Sequence, residues 1–209
     1  IEKFYRFKND LNIDNYKNYH NKNLKIIKSK NFSSSYSLNT ELNPENNLRK
    51  INDWISKKVY GKVTKPIQRY EYKRIDALPE ENIFGENIWH ADRYMPSLKF
   101  LYFPFSVTEE EAPHKFAIGT HKINKEYLNF FIKKTGSHKK RRSIESPEDE
   151  ERFLKNKREF PVKKNTLIAS LTNGFHARSV FKKKGERFTL VLQNDDFKVQ
   201  SLISYSNSL

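Results

Sequence analysis

Residues 98–118 read LKFLYFPFSVTEEEAPHKFAI, and the fold is decided there. The first ten of them, LKFLYFPFSV, carry the strongest strand signal in the chain, dense in aromatic and other strand-favouring side chains. Residues 109–113 supply a turn, and residues 114–118 return as a second strand. The same alternation of short strand and turn continues outward. Residues 165–171 (NTLIASL) form a compact apolar strand that stops at Asn173-Gly174. Two more strands follow over 176–181 and 187–193, joined by a lysine-rich turn that ends at Gly185. Upstream, residues 66–77 (PIQRYEYKRIDA) alternate in the manner of a strand. Short strands between regular turn signals predict a mainly β chain, a jelly roll or barrel with flanking helices.

The 209 residues are expected to form one domain. Residues 66–132 and 165–200 carry its strands, and residues 1–65 form a helical or irregular flank. Within that flank, residues 31–39 (NFSSSYSLN) read as a loop. Residues 45–60 read as an amphipathic helix with Leu48, Ile51, Trp54, Ile55 and Val59 on its apolar face, opened near Asn43-Pro44 and closed near Gly61. Residues 133–164 are charged, with Ile144, Phe153, Leu154, Phe160 and Val162 as their apolar anchors. They predict a solvated insertion, part loop and part helix over 147–157, or else a lid whose Lys139, Lys140, Arg141 and Arg142 engage an anionic substrate.

Composition narrows the chemistry. The absence of cysteine excludes disulfides, zinc fingers, thiolate-bound iron–sulfur clusters and a cysteine nucleophile. No apolar run approaches the roughly 20 residues that a membrane helix requires, and the N-terminus lacks the regions of a signal peptide. A soluble, cytoplasmic protein is therefore expected. The chain opens on Ile1, as a fragment or a trimmed product would. A net charge of +15 favours anionic partners. The lysines are spread over the whole length, alongside abundant Asn, Ile, Tyr and Phe, a mixture that AT-rich coding produces. That spread argues against nucleic acid and for a small anionic molecule.

The chemistry-bearing residues are His90-Ala91-Asp92, His176 and Arg187. His90 and Asp92 are two apart, so on an extended segment their side chains share a face. His176 opens a strand directly after the Gly174 turn. Two imidazoles and one carboxylate from separate pieces of chain can close one face of an octahedral ferrous ion and leave three positions open. Arg187 stands on the next predicted strand, and a guanidinium grips a carboxylate bidentately.

The wider motifs sharpen this. Trp89-His90-Ala91-Asp92 follows a W-H-x-D pattern. Residues 108–113 (TEEEAP) and 116–122 (FAIGTHK) follow T-E-E-N-G-P … I-P-G-S-H-K. Thr166-Leu167-Ile168 with Gly174-Phe175-His176, and then residues 185–190 (GERFTL), complete the series. Together they resemble the phytanoyl-CoA dioxygenase family of iron(II)/2-oxoglutarate oxygenases over about residues 66–195. The resemblance implies a cupin-like double-stranded β-helix with iron(II) on His90, Asp92 and His176. It implies 2-oxoglutarate on Arg187, helped by Thr189 or Lys99, with O2 as the other co-substrate. A small or carrier-linked, anionic substrate would be hydroxylated with release of succinate and CO2. Lys73, Ile75 and Arg178 are the next candidates to line the pocket.

The chain departs from the family pattern in places. Glu111-Ala112 replaces Asn-Gly, and Ala117-Ile118 replaces Ile-Pro. Leu101 stands where a large aromatic usually forms the pocket wall, and Arg178 where relatives often carry a small hydroxyl residue. Asp92 is intact, which argues against the related halogenases. His121 is expected as a turn histidine, and His20, His114 and His138 as surface residues. Two other readings stay open on the sequence. One is a cupin-like metal enzyme that does not use 2-oxoglutarate. The other is a basic nucleic-acid-binding module, supported by the aromatic and basic run of residues 69–74 (RYEYKR).

Overall fold

The computed structural model describes residues 5–6, 25–28, 32–38, 45–61, 69–77, 85–94, 96–134 and 142–193. Strands β1 (Tyr5–Arg6), β2 (Lys25–Lys28) and β3 (Phe32–Leu38) precede helix α1 (Glu45–Tyr60) and strand β4 (Arg69–Ala77). Then come β5 (Leu98–Phe103), β6 (His114–Ala117), helices α2 (Lys125–Lys133) and α3 (Pro147–Phe153), and β7 (Lys157–Phe160). Strands β8 (Thr166–Leu171), β9 (His176–Arg178) and β10 (Gly185–Gln193) complete the described order. Among the described residues every pairing is antiparallel, in a seven-stranded sheet ordered β1-β8-β5-β10-β4-β3-β2 and a three-stranded sheet ordered β7-β6-β9. This is the jelly roll, or double-stranded β-helix with flanking helices, that the strand pattern predicts.

The expected strands form within a few residues of their predicted bounds. β5 stops at Phe103 because Pro104 has no N–H for the ladder. Val107 nonetheless exchanges both backbone hydrogen bonds with Val162, at 2.9 and 2.8 Å. The seven-stranded sheet extends further than expected. Residues 31–39, read as a loop, contain β3, which pairs with β4 from Phe32↔Ala77 to Leu38↔Glu71. Ladder bonds offered by a neighbouring strand override the weak strand preference of serine.

Residues 142–164 contain the expected helix and buried anchors, and a strand besides. Pro147 and the Ser146 cap, which accepts from the Asp149 N–H at 3.2 Å, start α3, and the helix ends at Phe153 rather than at residue 157. β7 then joins the small sheet against β6, from His114↔Phe160 to Ala117↔Lys157. Its first three residues are exposed, so its polar composition hides a strand. The candidate lid residues Lys139, Lys140 and Arg141 lie outside the described residues. Arg142 and Ile144 clamp the 89–91 segment: Ala91 N–H donates to the Arg142 carbonyl at 3.0 Å, and Ile144 N–H to the Trp89 carbonyl at 2.8 Å.

Helix α1 has the predicted bounds but a different buried face. Asn52 and Ser56 are fully buried, Ile51 and Ile55 half-buried, and Trp54 is exposed. The side chains of Leu48 and Val59 lie outside the described residues. Among the described residues, no helix is long and apolar enough to cross a membrane.

An aromatic cluster of Tyr127, Phe130, Phe131, Phe153 and Phe175, with Ala91, Ile144 and Leu154, packs beside the small sheet. The ring centroids of Phe130 and Phe153 each lie 5.1 Å from that of Phe175. Such close aromatic contacts add roughly 0.5–1.5 kcal/mol per pair beyond burial. Ala91 and Phe175 are the neighbours in sequence of His90, Asp92 and His176. The alternation of a strand therefore sinks one set into the cluster and turns the other toward the barrel interior.

Candidate metal centre

His90 and His176, far apart in sequence, are direct cross-strand partners. His90 N–H donates to the His176 carbonyl at 3.0 Å, and His176 N–H returns a bond to the His90 carbonyl at 2.9 Å. Partners so paired carry their side chains on one face. Asp92, two residues past His90, is held by its N–H to the Thr172 carbonyl at 2.8 Å. The sequence places Gly174 where it must be. A Cβ there would come within 2.5 Å of Phe116 Cζ, too close for any side chain. Tyr127 ties both triad segments to α2: its hydroxyl lies 2.9 Å from the Asn173 carbonyl and 3.1 Å from the Tyr94 carbonyl.

The donor atoms converge. His90 Nε2 and His176 Nε2 each lie 3.7 Å from Asp92 Oδ1, and one ligand atom from each residue falls within 4.8 Å of the others. Cis ligands on a six-coordinate first-row metal stand about 3 Å apart, so small side-chain shifts suffice to close on an ion. Tautomers agree with this. His90 Nδ1 lies 2.7 Å from the Ile88 carbonyl and His176 Nδ1 2.9 Å from the Gly174 carbonyl. A carbonyl only accepts, so each Nδ1 holds the proton and each Nε2 presents its lone pair inward.

Electrostatics keep the donors in their ligating forms. Burial pushes the His176 imidazole down to about 4, with Asp92 working against it, and burial also lowers His90 against its Ile88 hydrogen bond. For Asp92, burial acts to raise the pKa. The ammonium of Lys99, followed by His176, overcomes it and holds the carboxyl well below the usual carboxylate range. Two neutral imidazoles and one carboxylate result, a set that suits a divalent first-row metal.

Lys99 is thus found at the metal end, its ammonium paired with Asp92 Oδ2, and not beside Arg187 where the resemblance implied it. Lys99, Leu101 and Phe103 alternate along β5, and Leu101 and Phe103 lie buried in an apolar cluster with Ile168 and Val191. Four residues of strand, about 13 Å, separate Lys99 from Phe103. The Arg187 guanidinium lies 5.5 Å from the Phe103 ring, so it marks the opposite end of this face. Its Nε donates to Thr189 Oγ1 at 3.2 Å, and its Nη1 donates to the Ala112 carbonyl. Arg187 is 7% exposed, and no carboxylate among the described residues pairs with it. Burial, then the charge of Arg178, push its pKa down to about 9. Ala112, where the family pattern has glycine, adopts φ 55° to present that carbonyl.

Arg178 shares a face with His176, and its cross-strand partner on β6 is His114. Arg178 Nη2 donates to Asn87 Oδ1 at 3.0 Å, and Nη1 lies 3.7 Å from Glu86 Oε2. Asn87 in turn donates to the carbonyls of Arg178 and Ser179, at 3.1 and 2.8 Å. Burial lowers the Arg178 pKa, against Glu86. Lys73 and Ile75 stand on β4 opposite Thr189 and Arg187 in register, and their side chains lie outside the described residues.

His114 is not a surface residue. It is 5% exposed, with its ring centroid 5.8 Å from that of His176. Its position at the head of HKFA, two before buried Phe116, was the signal available in the sequence, because one strand face carries both. Ser170, opposite Lys99 on β8, and Glu86 and Asn87 belong to no motif that would mark them in the sequence. His121 stays outside the triad in the turn after β6, where its carbonyl accepts from Asn173 Nδ2 at 2.8 Å. His20 and His138 lie outside the described residues.

No protein-family model matches the chain, and no curated protein is similar to it in sequence. Solved structures of the same fold do match. One is the epimerase SnoN in complex with Fe3+, alpha ketoglutarate and nogalamycin RO (TM-score 0.59, 11% identity, 92% of this chain and 78% of that one). A second is HygX from Streptomyces hygroscopicus with nickel and 2-oxoglutarate bound (0.52, 11%, 86% and 76%). A third is the alpha ketoglutarate dependent carbocyclase SnoK from nogalamycin biosynthesis (0.52, 10%, 92% and 79%). At these identities the likeness establishes a shared fold, the double-stranded β-helix on which those enzymes are built.

Proposed function

We propose that this protein is a non-haem iron(II), 2-oxoglutarate-dependent oxygenase of the phytanoyl-CoA dioxygenase type. Its substrate is a small or carrier-linked anionic molecule, hydroxylated as succinate and CO2 are released. The observation that carries this reading is the convergence of two Nε2 lone pairs and the Asp92 carboxylate, on the same barrel interior as a buried arginine without a carboxylate partner among the described residues. The matched structures solved with iron or nickel and 2-oxoglutarate support it through the shared fold.

The residues divide the work. His90, Asp92 and His176 would hold the metal on one face, and their hydrogen bonds to Ile88, Gly174 and Lys99 fix the donors before it arrives. Iron and the oxo acid supply the oxidising chemistry; the protein orients and shields them. Arg187, aimed by Thr189 and the Ala112 carbonyl, would pair with the far carboxylate of the diacid in a dry setting where such a pair is strong. Leu101 gives the wall between these two ends its apolar surface. Arg178 adds a cation that favours an anionic substrate.

Anaerobic titration with ferrous iron and 2-oxoglutarate tests the reading. A weak visible band near roughly 500–530 nm, lost in His176→Ala and weakened in Arg187→Ala, is expected of the metal–oxo acid chelate. A metallated protein without the band would refute use of 2-oxoglutarate and leave a cupin-like metal enzyme. Product analysis against succinate then separates hydroxylation from epimerisation or ring closure, the activities of two of the matched enzymes.

A further inference from the structure

His114 opens β6 directly after Ala112-Pro113, and the Ala112 carbonyl is the acceptor for Arg187. From there its imidazole enters the barrel interior. The His176 ring lies 5.8 Å away, and Ser170 Oγ of the opposite sheet lies 3.5 Å from Nε2. The residue is therefore linked through its backbone to the arginine anchor and lies through its ring beside a metal ligand.

Packing does not explain a histidine here. The surrounding rings are Phe116 and Phe160, at 6.4 and 6.5 Å, and a leucine would satisfy them. An imidazole brings one donor and one acceptor into a buried site, which is unfavourable unless both are used. Its one hydrogen-bonding contact among the described residues is the long one to Ser170. It is not a fourth ligand, since Nε2 is turned to Ser170 and the three converging donor residues are His90, Asp92 and His176.

We propose that His114, steadied by Ser170, contacts the bound diacid between the metal triad and Arg187 and helps to select it. This rests on the proposed use of 2-oxoglutarate. A linear diacid held at the triad and by Arg187 would run past this ring, and its carboxylate oxygen could accept an imidazole N–H. The residue is a specificity-determining one; the metal is held without it.

Calorimetry on anaerobic, Mn(II)-loaded protein with 2-oxoglutarate tests the idea, comparing wild type, His114→Leu, His114→Gln and Ser170→Ala. Loss of one hydrogen bond to a charged group predicts about tenfold weaker 2-oxoglutarate binding in His114→Leu, with Mn(II) affinity within about twofold of wild type. His114→Gln, which keeps a donor, should recover most of the affinity, and its thermal melt serves as the check on folding. Unchanged 2-oxoglutarate affinity in His114→Leu overturns the proposal. So does an equal loss of Mn(II) affinity in the Leu and Gln variants, which would make His114 a prop for His176. Wild-type protein that binds Mn(II) but no 2-oxoglutarate refutes the proposed function itself, a distinct outcome.

Discussion

The two ends of the barrel interior are built on opposite principles. At the triad end the charged groups are paired and both imidazoles are anchored locally. Asp92 faces Lys99, both imidazoles donate to backbone carbonyls, and the two histidines are locked to each other through the main chain. At the other end buried Arg187 and largely buried Arg178 share, among the described residues, one half-exposed carboxylate, Glu86, as the acid that acts on them. The triad end is held close to a ligating arrangement by its own contacts. The arginine end holds positive charge that a carboxylate ligand would relieve. Rigid donors suit a metal, whose bond lengths are fixed, whereas an under-compensated cation suits an anion that must come and go.

The largest expected effect breaks the metal end. His176→Ala or Asp92→Ala should weaken Fe(II) or Mn(II) binding by more than about a hundredfold, beyond what loss of a supporting hydrogen bond costs. Equilibrium dialysis reads it, and retained binding would place the metal elsewhere. At the opposite end Arg187→Leu should weaken 2-oxoglutarate binding by about a hundredfold while leaving metal affinity intact. The contrast between the ends also predicts the sign of the stability change. Removing a buried, under-compensated cation should leave the metal-free protein as stable as wild type or up to about 1 kcal/mol more so in urea unfolding.

Acid sharpens the same contrast. Folding holds His176 at about 4 and His114 well below the ordinary 6.5, so the unfolded chain binds more protons in that range. The stability these neutral imidazoles contribute to the metal-free protein is therefore fully present above pH 6.5 and declines as the pH falls toward 4. Asp92, pulled far below the carboxylate range, stays ionised throughout this window. Denaturant melts at pH 7, 6, 5 and 4.5 should show the decline; a flat profile would contradict neutral buried imidazoles.

Smaller effects follow from the supports. Tyr127→Phe removes the hydroxyl that ties both triad segments to α2 and should cost about 1–2 kcal/mol of stability, measured in urea. Ala112→Gly relieves the left-handed backbone at φ 55° and, after the entropy of the added glycine, should stabilise by about 0.5 kcal/mol.

The fold was legible wherever strands alternate visibly. β5, β6, β8 and β10 announce themselves through aromatic and branched residues. β3 and β7 do not, because FSSSYSL and KREF carry serine and charge. They are strands because neighbours offer them ladders, a fact of tertiary pairing that local composition does not hold. At the site, the spacing of His90, Asp92 and His176 was readable, because two residues on one strand face and a histidine after a glycine turn are local patterns. The place of Lys99 was not, since it depends on which end of β5 approaches Asp92. His114 has no partner spacing along the chain, although the alternation with Phe116 marks it as inward-facing. What joins it to Ser170 is contact between sheets, which no spacing along the chain records.

The most direct test is diffraction from crystals grown anaerobically with Mn(II) and 2-oxoglutarate, with an anomalous map at the manganese edge. The account predicts one peak bounded by His90 Nε2, His176 Nε2 and the Asp92 carboxylate, with the far carboxylate of the diacid on Arg187. A peak away from this triad, or a diacid whose far carboxylate avoids Arg187, would contradict it.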